Sequence, residues 1–170
     1  MAESISVKAY KALNHLFNCL HSLPCITYKT VFKIFESKIS SILLYVAELW
    51  GITNHSCTEQ VQIHACKRFI CANQNACNDA ILADLGRFPV FNYSARRSIN
   101  IWLPNDRYLK LCYNMLFYYD NTGCTNWVTN IRKHLYENGY GYVWEQQEVA
   151  QPEIFLSEYT DRMKCQYVQH

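Results

Sequence analysis

The chain has 170 residues, of which 50% are hydrophobic and 18% charged, so it is long and apolar enough to bury a core. Its net charge of +2 creates no general field that would attract nucleic acid or a membrane surface, so any basic site must be local. With only 5 Gly and 4 Pro, the composition favours an all-α or mainly α fold over a many-stranded sheet.

The cysteines and the apolar segments indicate a cellular location. The 9 cysteines are odd in number and irregularly spaced, unlike a secreted disulfide scaffold, and this indicates reduced thiols. Residues 1–25 contain no apolar segment of the kind a signal peptide needs. The longest apolar run, 42–47, is far shorter than the ~20 residues that span a bilayer. We therefore expect an intracellular protein of the cytoplasm or nucleus, without a signal peptide, a transmembrane segment or a membrane partner.

Two amphipathic helices are predicted first along the chain. Leucines at 13, 16, 20 and 23 recur at helical spacing until Pro24 stops the first helix. A second stripe extends from Tyr28 to Leu49 and ends at Gly51. We expect the two helices to pack as an antiparallel hairpin rather than as an oligomeric coiled coil. Docking of a partner by the second stripe is the alternative. This interaction seam comprises Phe32, Phe35, Ile39, Ile42, Val46, Leu49 and Trp50.

A third helix and a linking loop complete the predicted N-terminal region. Ser56 and Glu59 have the spacing of a capping box, and the apolar pattern that follows predicts a helix over roughly 57–72. Residues 73–78 include several amides and are predicted to be a loop. We therefore expect one helical region over 1–72 and a second over 79–170, joined by the loop 73–78.

The second region is predicted to be mainly helical. Proline and glycine mark most of its element boundaries. The expected bundle is irregular and contains about seven helices in the whole chain. Its elements are a short helix from Asp79 to Leu85 ended by Gly86, a helix from Pro89 to Leu103 ended by Pro104, a helix over 106–119, a turn over 120–124, a helix capped by Thr125 and stopped at Asn138 and Gly139, a short extended piece near 140–144, and a last helix from Pro152.

The sequence carries no recognisable catalytic motif. It has no adjacent aspartate pair, no glycine-rich phosphate loop, no serine elbow and no His-Glu-x-x-His helix. His64 and Cys66 lie near other cysteines, but two positions along a helix point them to opposite sides, so they cannot grip one metal ion. We expect no enzyme activity, no cofactor and no metal site.

Basic pairs are the strongest functional signal. Each lies on a predicted helix near an aromatic residue, a combination that can hold phosphates and stack unpaired bases. The alternative is that they are ordinary solvated side chains. The candidate nucleic-acid-binding residues are Lys67, Arg68, Arg96, Arg97, Arg132 and Lys133.

An ordered series of short segments resembles a known family. Residues 33–36 and 42–51 are similar to the region after the catalytic palm of non-LTR (LINE-type) retrotransposon reverse transcriptases. The likeness continues in order through 61–69, 85–89, 126–128, 139–144 and 162–169. Val46 stands where the family usually has Gly.

The resemblance implies a non-catalytic part of an RNA-directed DNA polymerase. The palm and the endonuclease would both precede residue 1, and residues 1–72 would be a helical thumb-like region. We expect weak, salt-sensitive binding to RNA or DNA, as part of a template and primer clamp. The alternatives are a helical protein interaction module, which self-associates or docks a reverse transcriptase palm, and a non-functional relic of a retroelement.

Overall fold

The computed structural model describes residues 1–21, 26–103, 111, 113–118, 123, 126–147 and 149–169. Within these ranges every regular element is a helix and no strand occurs, which confirms the mainly α prediction. The chain divides into two compact units, each formed by two segments. The first unit comprises Met1–Tyr45 and His55–Val90, and the second comprises Val46–Asn54 and Phe91–His170.

The helices follow one another closely along the chain. Residues 113–118 are also helical. In chain order the helices are α1 (Ala2–His21), α2 (Tyr28–Ile34), a π-helical segment (Phe35–Ser40), α3 (Ser41–Leu43), α4 (Ala47–Trp50), α5 (Ser56–Phe69), α6 (Asn78–Asp84), α7 (Val90–Trp102), α8 (Trp127–Glu137), α9 (Gly141–Gln146) and α10 (Pro152–Gln169).

The first unit is built on α1, which packs against α5 and the π-helical segment. Ile5, Ala9, Leu13 and Phe17 form the buried face of α1. Their regular spacing of four residues keeps them on one side of the helix. The first helix is therefore confirmed, although it begins well before the predicted leucine stripe. Leu23 and Pro24 lie outside the described residues.

The second predicted helix is wrong as a continuous element. Its buried positions after Phe35 are Ile39, Leu43 and Ala47, whereas the predicted seam continued through Ile42. The cause is the π-helical segment, whose i→i+5 hydrogen bonds take in an extra residue and shift the buried face by one position. The seam therefore does not form one surface.

The chain turns at Val46, where the helix was expected to continue. Val46 has φ 52° and ψ 29°, a left-handed conformation that a β-branched side chain rarely adopts. The residues from Val46 onward, including the seam members Leu49 and Trp50, belong to the second unit. Leu49 is 58% exposed, so it lines no buried seam.

The predicted capping box at the start of α5 is also wrong. His55 occupies the N-cap, and Ser56 is already the first helical residue. The Glu59 carboxylate instead accepts a hydrogen bond from the Val90 backbone N–H at 2.9 Å. Glu59 therefore accepts from the first backbone N–H of α7.

The end of α5 and the following loop also differ from the prediction. The helix ends at Phe69, before 72, because Cys71 takes a left-handed conformation and the Ala72 N–H bonds back to the Lys67 carbonyl. The predicted linking loop 73–78 lies inside the first unit, since α6 packs on α5.

The second unit has one hydrophobic core shared by α7 to α10. The apolar faces predicted for the helix after Pro89 and for the last helix are both buried. Gly139, with φ 78°, ends α8 as predicted, and the Tyr140 N–H closes the helix by bonding to the Leu135 carbonyl. The core includes Ala95, Ile99, Trp102, Val128, Ile131, Leu135, Phe155, Tyr159 and Met163.

The short extended piece near 140–144 is wrong, because α9 occupies this region. Tyr140, Val143 and Trp144 are buried at the i, i+3, i+4 spacing of a helix. Asn126 caps α8, with its side chain accepting from the Val128 and Thr129 N–H groups. Predictions at Thr125, Pro104 and most of the turn 120–124 lie outside the described residues.

Replacing Val46 by glycine tests the strain at the turn. We expect Val46→Gly to raise the free energy of unfolding by about 1 kcal/mol, because glycine adopts the left-handed conformation without a side-chain clash. Urea unfolding followed by tryptophan fluorescence measures this, since all 4 tryptophans lie in the second unit.

The matched control is Ile154→Gly, which removes an exposed β-branched side chain from α10 of the same unit. It should lower stability by about 0.5 kcal/mol, because glycine is a poor residue in a helix interior. Equal losses in the two variants would contradict the strain at Val46.

Candidate nucleic-acid interface

The first predicted basic pair holds the first unit together. Lys67 is only 6% exposed, and its Nζ donates a hydrogen bond to the Gln74 carbonyl at 2.7 Å. Arg68 donates to Asn14 Oδ1 at 3.0 Å, with its guanidinium 4.6 Å from the centre of the Phe17 ring. Both side chains are engaged within the fold, so phosphate contact by Lys67 in particular does not fit its burial.

The burial of Lys67 has a local physical cause. Lys67 lies in the last turn of α5, where the helix gives way to the loop that contains Gln74. Loop carbonyls that are removed from water need hydrogen-bond donors. A lysine ammonium group can supply one while the methylenes of the side chain pack on apolar surface. The amide-rich loop beside a basic pair was the only sequence signal of this role.

The orientation of α7 is fixed by hydrogen bonds to α4. Ser94 Oγ donates to the Gly51 carbonyl at 2.9 Å, and Ser98 Oγ donates to the Ala47 carbonyl at 3.0 Å. A Cβ atom at Gly51 would lie 2.6 Å from the Ser94 Cβ, so only glycine permits this approach. The two serines therefore turn one side of α7 toward α4.

The opposite side of α7 combines an aromatic ring with two cations. Tyr93, Arg96, Arg97 and Asn100 are exposed and follow the i, i+3, i+4, i+7 spacing of one helix face. Tyr93 is 43% exposed. Arg97 lies 3.5 Å from a Glu48 carboxylate oxygen, an exposed ion pair of small stability. We call these four residues the α7 face.

Helix α8 presents the third predicted basic pair. Arg132 is half-buried and Lys133 is exposed, where it pairs with Glu137 at 3.7 Å. The exposed ring of Tyr136 lies one turn from Arg132, and its hydroxyl donates to the Glu145 carboxylate, which raises the pKa of Tyr136. Arginine and tyrosine thus occur together on α8 as on α7, within the same unit.

A cleft that the sequence analysis missed lies beside this pair. Its volume is ≈ 410 Å³. One face of α8 supplies half of its lining, at the helical spacing of 130, 133, 134, 137 and 138, which is the only signal the sequence contained. The lining comprises Ile52, Thr53, Asn54, Phe91, Asn130, Lys133, His134, Glu137, Asn138 and Met163.

His134 is the buried titratable group of the cleft. Its Nε2 is hydrogen-bonded to the Tyr159 hydroxyl at 2.6 Å, and its ring lies nearly perpendicular to the Phe91 ring. Burial lowers the pKa of His134 to about 4, so the imidazole is neutral at neutral pH. The neutral ring contributes a polar, uncharged wall.

The Cys66 thiol and the possible metal ligands are further candidate chemical groups of the described residues. Burial raises the pKa of the Cys66 thiol to about 11, so this thiol stays protonated and is a poor nucleophile. No group of three or more His, Cys, Asp or Glu residues in the described ranges could hold a metal ion.

The described helices also contain none that is long and apolar enough to cross a membrane. Comparison with known proteins gives no match to a family model, a curated protein or a solved structure. The relation to reverse transcriptases therefore stays a prediction from the segments quoted above.

The depressed pKa of His134 predicts a pH-dependent stability. The unfolded chain binds a proton at His134 near pH 6.5 and the folded chain only near pH 4, so stability falls as the pH drops through this window. We expect His134 alone to account for a loss of about 3 kcal/mol between pH 7 and pH 4. Urea unfolding at a series of pH values measures this loss.

The control is His134→Gln, which keeps a polar side chain without a titrating group. Between pH 7 and pH 4, the unfolding free energy of this variant should fall by about 3 kcal/mol less than that of the unaltered protein. Parallel profiles for the variant and the unaltered protein would show that His134 is not the responsible group.

Proposed function

We propose that the second unit binds single-stranded RNA or DNA, without catalysis, through the α7 face and the basic residues of α8. The observation that carries this proposal is that Tyr93, Arg96 and Arg97 lie on one exposed face of α7. In its cellular context this surface would be part of the template and primer clamp of a retrotransposon-type reverse transcriptase.

The chemistry of the α7 face suits a strand with unpaired bases. Guanidinium groups at 96 and 97 can donate bidentate hydrogen bonds to phosphate oxygens. The Tyr93 ring can stack one base, an interaction of about 1–3 kcal/mol that does not depend on which base it is. Asn100, at the end of the same face, adds a neutral hydrogen-bonding group.

The number of cations limits the affinity. The remaining candidates are Arg96, Arg97, Arg132 and Lys133, since Lys67 is buried and Arg68 is held against Asn14 and Phe17 in the first unit. Arg97 and Lys133 each form an exposed ion pair, which a phosphate can replace at little cost. For single strands each neutralised phosphate contributes about −0.7 to the slope of log affinity against log salt. With all four cations on phosphates, the steepest expected slope is thus about −3. The expected Kd is on the order of 10⁻⁵ M at physiological salt.

A protein interaction module is the second candidate. The buried seam does not support it, because Phe32, Phe35 and Ile39 are each at most 4% exposed. An exposed apolar face at Leu111, Met115 and Tyr118, one helical turn apart, does favour it. Light scattering over a concentration series separates the two candidates, since apolar self-association persists at high salt and strand binding does not.

Charge reversal on α7 tests the proposed function. Arg96→Glu with Arg97→Glu should weaken binding of a labelled single-stranded RNA at least tenfold and make the salt slope shallower by about 1.4, the share of two phosphate contacts. Fluorescence anisotropy over a salt series measures both quantities.

The matched control is Lys8→Glu with Lys11→Glu, the same charge change on exposed residues of α1 in the first unit. Binding by this control should stay within about threefold of the unaltered protein, because only long-range attraction is lost. Equal losses in the two double variants would show that net charge, not the α7 face, determines binding.

Removing the aromatic ring tests base stacking separately. Tyr93→Ala should weaken binding about 5- to 100-fold with an unchanged salt slope, because it removes stacking and no phosphate contact. Tyr93→Phe should bind like the unaltered protein.

Tyr45→Ala, which removes a still more exposed tyrosine from the first unit, is the control and should have no effect. A steeper or shallower salt slope for Tyr93→Ala would contradict a stacking role.

A further inference from the structure

We propose that the cleft of the second unit binds one unpaired nucleobase of the strand, with the adjoining phosphate at Lys133. This inference rests on the proposed function, because the strand on α7 and α8 would supply the base. The cleft would add hydrogen bonds to the edges of one base, whereas the α7 face only contacts phosphates and stacks a base.

The dimensions and the floor of the cleft suit a flat ring. A volume of ≈ 410 Å³ lies within the range of about 300–1,000 Å³ that is typical of small-ligand sites. Ile52 and Met163 are at most 8% exposed and supply an apolar floor, with the Phe91 ring beside them. A base can therefore lay its faces on apolar atoms while its edges reach the rim.

Side-chain amides stand where the edges of such a ring would lie. Asn54 and Asn130 both line the cleft, the first exposed and the second half-buried. Asn138 Nδ2 donates to the His134 carbonyl at 2.7 Å, which holds this amide in place and leaves its Oδ1 as an acceptor. Amides offer both donors and acceptors, as the edges of nucleobases do.

The charges of the cleft favour a neutral ring with a phosphate outside. Lys133 and Glu137 are the charged groups among the lining residues, and they pair with each other at 3.7 Å. Both side chains are more than half exposed, so Lys133 can leave this weak pair for a phosphate at little cost. Successive side chains turn by ~100° on a helix, which places Lys133 between the cleft and the Arg132 side of α8.

Titration of the ¹⁵N-labelled full chain with AMP and CMP tests the cleft directly. We expect chemical-shift changes at the amides of 52–54, 130, 134 and 138. Inorganic phosphate, the control ligand, should perturb Lys133 and its helical neighbours 130 and 134, and should leave 52–54 and 138 unchanged. The same shift pattern with phosphate alone would overturn recognition of a base.

A pair of variants tests the polar contacts. Asn130→Ala should weaken AMP binding about fivefold to tenfold, the effect of one or two hydrogen bonds. Asn75→Ala, an exposed asparagine of the first unit, is the matched control and should bind AMP normally. Unchanged AMP affinity in Asn130→Ala would overturn the assigned role of this amide.

Two further arms separate this inference from the proposed function. Arg96→Glu with Arg97→Glu should lose the RNA strand and keep the AMP shifts. Saturating AMP should weaken strand binding severalfold in the unaltered protein.

Strand binding without any AMP-induced chemical-shift changes would overturn base binding in the cleft and leave the proposal for the α7 face intact. AMP binding without strand binding would overturn the α7 face, and AMP binding that does not compete would overturn occupation of the cleft by a base of the strand.

Discussion

The second unit depends on the binding of the α4 carbonyl groups by side chains of other helices. A four-residue helix cannot pair its last carbonyls internally. Trp127 Nε1 donates to the Glu48 carbonyl at 3.0 Å, and Ser94 donates to the carbonyl of Gly51, the residue that follows α4. Ser98 adds a second donor to the Ala47 carbonyl at the start of α4, which also accepts from the Gly51 N–H. The serines fix the rotation of α7 about its axis. Exposure of Tyr93 and its neighbouring arginines is the consequence.

Cations have different roles in the two units. In the first unit, Arg87 is nearly buried, lies 4.6 Å from the centre of the Phe32 ring and pairs with Glu36 at 3.0 Å. Lys67 is likewise buried against a loop carbonyl. In the second unit, Arg96 faces solvent beside Tyr93. A chain with little net charge can therefore carry a local basic surface. A basic pair in the sequence indicates such a surface only where the packing of the helix leaves both side chains exposed.

Local patterns predicted the helices whose packing follows their periodicity. Helix α7 and the stop at Gly139 were recognisable because the buried spacing and the left-handed glycine are local properties. The π-helical segment and the turn at Val46 were not, since a one-residue shift of the buried face is decided by what packs against it. The cleft was missed for a related reason: residues 52–54 and α8 are far apart in the sequence, and periodicity identifies a face without identifying its neighbour.

The central claim is that a single strand lies on the α7 face, and photocrosslinking tests it most directly. A uniformly thiouridine-labelled RNA is bound to the full chain at low salt, irradiated and digested, and the crosslinked peptides are identified by mass spectrometry. We expect crosslinks within 91–100, with Tyr93 foremost, and further crosslinks within 127–138. Crosslinks confined to the first unit, or distributed over every exposed lysine and aromatic residue, would contradict this claim.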